Sequence, residues 1–153
     1  MRERSRISMI LAAVVSGVAA CGGSSGGSTN MSGTPGYYLS ISNLKFSPLD
    51  LEAPPGATVT VLNFDSPMMH SVTSEATAGS FTHSTTGISF DTGPISGASA
   101  SFTLPMTAPA GTVINYFCTV HLGTMNTPNG TITINPNAPP SQPPQTFPPG
   151  YGY

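Results

Sequence analysis

Apolar and polar positions alternate in short runs through the middle of the chain. In the stretch Tyr37 to Phe46, Leu39 and Ile41 begin a pattern of period two that continues beyond them. From Ala57 to Phe64, Val59 and Val61 share one face. Val113 to Thr119 sets Ile114, Tyr116 and Cys118 on one side and Val113, Asn115 and Phe117 on the other. From Gly130 to Asn135, Ile132 and Ile134 face one way and the threonines the other. Such runs, rich in threonine and valine and separated by Ala-Pro-Pro-Gly, Asp-Thr-Gly-Pro and Ala-Pro-Ala-Gly turns, predict short strands of an antiparallel sandwich. No stretch longer than a turn or two after residue 21 has helical periodicity. The Gly-, Ser- and Thr-rich segment 76–97 is the least regular, and reads as a long excursion carrying one or two short strands.

The flanks follow other rules. Residues 1–20 have a basic start and then an apolar run from Ile7 to Ala20, which describes a signal peptide too short to span a bilayer as a mature helix. The run ends Val18-Ala19-Ala20-Cys21, which resembles a bacterial lipobox and implies lipidation of Cys21 as the first mature residue. Residues 21–36 then form a Gly/Ser-rich tether whose fifteen residues after the cysteine reach roughly 20 Å. Residues 136–153 are too rich in proline for strand or helix and are expected to be an extended, mobile tail. One domain, 37–135, is left between them, long enough for a single core.

Removing the leader changes the charge. Lys45 becomes the one cation, set against Asp50, Glu52, Asp65, Glu75 and Asp91, a formal charge of −4 with histidines neutral. No basic patch is available for nucleic acid or anionic head groups. Cysteine usage changes the picture further. The chain has two cysteines, and with lipid on Cys21 the other, Cys118, has no intramolecular partner. An unpaired thiol in an exported protein has to be buried or occupied by a metal.

Two places carry metal-ligating chemistry. His70 follows a strand and a polar turn, and Cys118 closes a strand, with His121 and Met125 in a loop loosened by Gly123. Together they could form a trigonal His₂Cys site with a weak thioether. That set suits copper in electron transfer, because thiolate and thioether favour Cu(I) while imidazole accepts Cu(II). A structural zinc fits less well, having no use for a thioether. A binuclear copper centre needs a second cysteine in the loop, and none is there. The plain alternative is a buried cysteine packed as a small hydrophobe. His83 reads as a solvated loop residue, and Met68 and Met69, flanking His70, read as apolar packing or rival axial ligands.

The stretches Phe46-x-Pro48, Gly56-x-x-Val59, Asn63-x-Asp65 to His70, and Tyr116-x-Cys118-x-x-His121-x-x-x-Met125 resemble the cupredoxins of the plastocyanin and amicyanin group, over about residues 37–135. The resemblance implies an all-β Greek-key sandwich of roughly six to eight strands and one copper ion cycling between Cu(I) and Cu(II). It makes His70, Cys118 and His121 the equatorial ligands and Met125 the axial one. Such a site leaves no open position for substrate, so an electron carrier rather than an enzyme is expected. A copper-delivery lipoprotein is the alternative, and an adhesion module without metal a third reading. Redox donors and acceptors are expected to dock near His121, beside a rim of Met68, Met69 and Leu122, with the protein a monomer. The lipobox implies an exported lipoprotein in the periplasm or at the cell surface, held on a membrane by Cys21; Gly22 favours the outer membrane where there are two. One departure stands out: the family usually has Asn after the first ligand histidine, and this chain has Ser71.

Overall fold

A computed structural model describes residues 33–145. Among them the strands are β1 (Tyr37–Ser42), β2 (Lys45–Ser47), β3 (Asp50–Ala53), β4 (Thr58–Asn63), β5 (Thr73–Glu75), β6 (Ser99–Thr103), β7 (Val113–Phe117) and β8 (Asn129–Ile134). They form two four-stranded sheets, ordered β2-β1-β4-β6 and β3-β8-β7-β5. No helix among the described residues is long and apolar enough to cross a membrane, and the leader and Cys21 lie outside them.

The period-two pattern does what it predicts. Leu39, Ile41, Val59 and Val61 from the first sheet meet Leu51, Ala53, Ile114, Tyr116, Ile132 and Ile134 from the second in one buried core. Tyr116 is its largest member. Its ring meets the edge of Phe46 at 5.0 Å and its hydroxyl lies 3.3 Å and 3.2 Å from the Pro48 and Leu49 carbonyls. Burial, and secondarily the charge of Asp50, push that phenol well above its ordinary pKa, so it remains a neutral donor.

The sandwich is mixed, not purely antiparallel as expected. β1 pairs parallel with β4, and β3 parallel with β8. The cause is the corner at Ser47-Pro48-Leu49. There the chain folds back as β2 on the first sheet and continues as β3 on the second, so its next reversal returns β4 parallel to β1. Alternation reports which face a residue takes and is blind to strand direction.

Segment 76–97 also differs from expectation: it holds no strand, only isolated bridges at Glu75–His83, Thr73–Asp91 and His70–Ile95. Serine and threonine side chains supplement its few backbone hydrogen bonds. Ser74 Oγ accepts the Phe90 N–H at 3.0 Å, and Thr92 Oγ1 accepts that of Val72 at 2.9 Å. Beyond β8 the proline-rich chain stays against the domain as far as Ser141, which exchanges backbone hydrogen bonds of 2.9 Å and 2.8 Å with Gly36. The Tyr37 hydroxyl donates to the Ala138 carbonyl at 2.8 Å.

Candidate metal centre

The chain brings His70, Cys118 and His121 together at one end of the sandwich. Each offers one ligand atom, and the three lie within 4.8 Å of one another. Cys118 Sγ is 3.9 Å from His70 Nδ1 and 3.8 Å from His121 Nδ1. With the third side no longer than 4.8 Å, the centre of this triangle is at most about 2.5 Å from each corner, within a few tenths of an ångström of metal–sulfur and metal–nitrogen bonds. The donor triangle can therefore close on a metal ion with small shifts.

Two of these candidate ligands, His70 and Cys118, are held from behind. The turn between β4 and His70 is fixed by Asn63, whose side-chain amide donates to the carbonyls of Met68 (2.8 Å) and Ile95 (3.1 Å). Asn63 Oδ1 accepts the Asp65 N–H at 3.1 Å. Asp65 in turn accepts the N–H groups of Asn43 and Leu44 at 2.6 Å and 2.9 Å, and its Oδ2 lies 3.1 Å from His70 Nε2. His70 is fully buried. With Nε2–H donating to the carboxylate, Nδ1 carries the free lone pair toward the site, an arrangement typical of metal-bound imidazoles.

The electrostatics agree with that tautomer. Burial and then the neighbouring His121 hold His70 below its ordinary pKa, and Asp65 opposes them only in part. Burial pushes Asp65 upward, but the N–H groups of Leu44 and Asn43, and then His70, outweigh it and leave the carboxyl lowered. A neutral imidazole beside a carboxylate results.

Cys118 is buried and accepts the Ser71 N–H at 3.3 Å. Ser71, where the resemblance leads one to expect an asparagine, follows His70 directly. Its Oγ accepts the Thr119 N–H at 2.8 Å and lies 2.8 Å from Thr119 Oγ1, so the serine ties the first ligand segment to the second. Met125 is 4% exposed and belongs to the buried cluster that contains Cys118, whereas Met68 and Met69 are 46% and 47% exposed. Asn126, next to Met125, donates its N–H to the Leu44 carbonyl at 2.8 Å and its side-chain amide to the Asn43 carbonyl at 2.9 Å. The β1–β2 turn thus sits between both ligand loops. His83 is exposed, its ring 3.1 Å from Ser89 Oγ, and stands apart from the cluster.

Sequence reasoning missed what surrounds the ligands: the Asp65 contact to His70, the Asn43–Leu44 turn and the Thr119 hydroxyl. The signals were faint, an acidic residue five before a ligand histidine and a threonine beside the cysteine.

No protein-family model and no curated protein matches the chain. Among solved structures it is similar to reduced auracyanin from the photosynthetic bacterium Roseiflexus castenholzii, at 19% identity and a TM-score of 0.52, over 65% of this chain and 96% of that one. It is also similar to a purple cupredoxin from Nitrosopumilus maritimus (22%, TM-score 0.46, 65% and 99% of the two chains). Amicyanin from Paracoccus versutus gives 18% and 0.48, over 67% and 84%. The fold is a cupredoxin-like β-sandwich.

Proposed function

We propose that this protein is an extracytoplasmic single-electron carrier with one mononuclear type 1 copper site. The observation that carries the reading is the buried convergence of one sulfur and two Nδ1 atoms on a hydrogen-bonded frame. His70, Cys118 and His121 are the equatorial ligands and Met125 the axial one; its burial beside Cys118 favours it over the exposed Met68 and Met69. Bound there, copper supplies the one-electron Cu(I)/Cu(II) couple.

The rest is the work of the chain. Asp65 fixes the tautomer and aim of His70, and the Ser71 N–H fixes the position of Sγ. Buried Cys118 and Met125 keep water from the sulfur side. His121 is partly exposed and provides the route by which an electron leaves, with the exposed Met68, Met69 and Leu122 forming an apolar rim where a partner docks briefly. With Met125 as the axial donor the site leaves no open position, which favours electron exchange over activating a substrate. Deep burial of most of the donor set favours keeping the ion over handing it on. The leader, Cys21 and the Gly/Ser tether place the domain outside the cytoplasm on a lipid anchor.

The test is the visible spectrum of the Cu(II)-loaded protein. A thiolate in a trigonal copper plane gives an intense charge-transfer band that nitrogen–oxygen sites lack. Wild type is expected to be strongly coloured and Cys118→Ala colourless but folded. Met125→Leu keeps the colour and raises the reduction potential, while Met68→Leu and Met69→Leu move it little. A colourless wild type at full copper occupancy would overturn the reading.

A further inference from the structure

Among the contacts that fasten segment 76–97 to the domain, two lead to the loop that carries Cys118, His121 and Met125. The first begins at Glu75, whose side chain is buried at 4% exposure although it touches no ligand. A buried carboxyl persists only where its oxygens are bonded. Here Oε1 accepts the Phe81 N–H and Oε2 the Asn129 side-chain amide, both at 2.6 Å. One group thereby joins the end of β5, the tip of the excursion and the start of β8.

What Glu75 holds is an unusual residue. Phe81 has φ 49°, a left-handed conformation that a bulky L-residue rarely adopts without being held. Its ring lies 6.0 Å from that of Phe117, at an interplanar angle of 66°. Phe117 immediately precedes Cys118, and strand alternation would turn it away from the core; Phe81 packs against it there. A Cβ added at Gly123 would lie 3.6 Å from Phe81 Cζ, so the same ring also backs the turn between His121 and Met125.

The second fastening is polar. Asp91, exposed, accepts the Thr73 hydroxyl at 2.8 Å and the Gly93 N–H at 2.9 Å. Thr73 has one hydroxyl proton, and it is committed to the carboxylate. Its oxygen remains an acceptor, 3.3 Å from Ser71 Oγ, which itself accepts the Thr119 N–H. A line of hydroxyls runs from the surface to the amide next to the metal-binding sulfur.

The geometry points to Phe81 and Asp91 as positioning residues: the 76–97 excursion holds the Cys118–Met125 loop in ligand geometry before any metal arrives, and so sets the properties of the site. The consequence for the redox centre rests on the copper reading above; the holding itself does not.

The full-length protein is compared with Asp91→Ala, Phe81→Ala and Phe81→Leu, the last keeping apolar bulk if the alanine variant folds poorly. In the metal-free state, amide hydrogen exchange is followed at Thr119 and Thr124. Exchange at Thr119 in Asp91→Ala, and at Thr124 in Phe81→Ala, is expected to rise on the order of ten-fold while β8 amides keep their protection, with Phe81→Leu intermediate. In the copper-loaded state, the charge-transfer band and the reduction potential shift in both alanine variants. Variants that lose thermal stability yet keep wild-type exchange, band position and potential would show a merely structural segment and overturn the inference. A wild type that binds copper without colour would defeat the copper reading alone, and the metal-free exchange would still decide this one.

Discussion

A buried imidazole can present one lone pair only if its second nitrogen has a place for its proton. For His70 that place is Asp65, and the carboxylate is itself satisfied by the N–H groups of Asn43 and Leu44. The arrangement has a cost in acid. Folded His70 binds a proton less tightly than the unfolded residue, whose value is 6.5. Between the folded value and 6.5 the unfolded chain carries the extra proton, so stability falls as pH falls through 6.5. Asp65 adds a second decline. Its contribution is complete above its unfolded value of 3.8 and is lost as pH drops through its lowered folded value. The melting temperature of metal-free protein is therefore expected to fall steadily from about pH 7.5 to about pH 5, and His70→Gln to flatten that upper decline. A wild-type profile that is level across this range would contradict the assigned environment of His70.

At the scale of the element, β7 and β8 set the ligand end of the sandwich through a tight crossing. Gly130 faces Tyr116 in the register, and a Cβ there would lie 2.3 Å from the Tyr116 ring and 2.7 Å from the Leu49 carbonyl. Gly130→Ala is expected to destabilise the metal-free protein by about 1–3 kcal/mol, the range for overpacking a closed core. Urea denaturation measures it, and a change below a few tenths would mean that the crossing yields freely. The β1, β4, β7 and β8 stretches were legible because each buries one face, which is what period two encodes. β5 was not, since Thr73, Ser74 and Glu75 are buried and polar, covered by β7 on one side and the 76–97 excursion on the other. Phe117 escaped for a related reason: its ring packs against Phe81, far away in sequence. The cluster of His70, Cys118 and His121 was legible because thiol and imidazole are scarce in this chain. Asp65 was not, because a carboxylate in a turn is ordinary until its partner is seen.

At the scale of the whole domain, β1 runs from Tyr37 toward the Asn43–Leu44 turn that contacts both ligand loops, so its start lies at the opposite pole from the metal centre. Six residues of strand separate the two by about 20 Å. Gly36, just before β1, is tied to Ser141 at that far pole. On the proposed reading, a lipid on Cys21 would join the domain where the chain enters β1, through a Gly/Ser-rich stretch expected to reach roughly 20 Å. Such a link would raise the local concentration of the domain at the membrane surface without tight affinity for any partner. It would also leave the candidate metal loop mechanically independent of the anchor. Cys21→Ser is accordingly expected to move the protein from the membrane pellet to the soluble fraction, with its visible spectrum and potential unchanged. Electron transfer to a membrane-bound donor slows in that variant, while transfer to a soluble donor does not. Retention of the serine variant in the pellet would mean that something other than Cys21 holds the protein to the membrane.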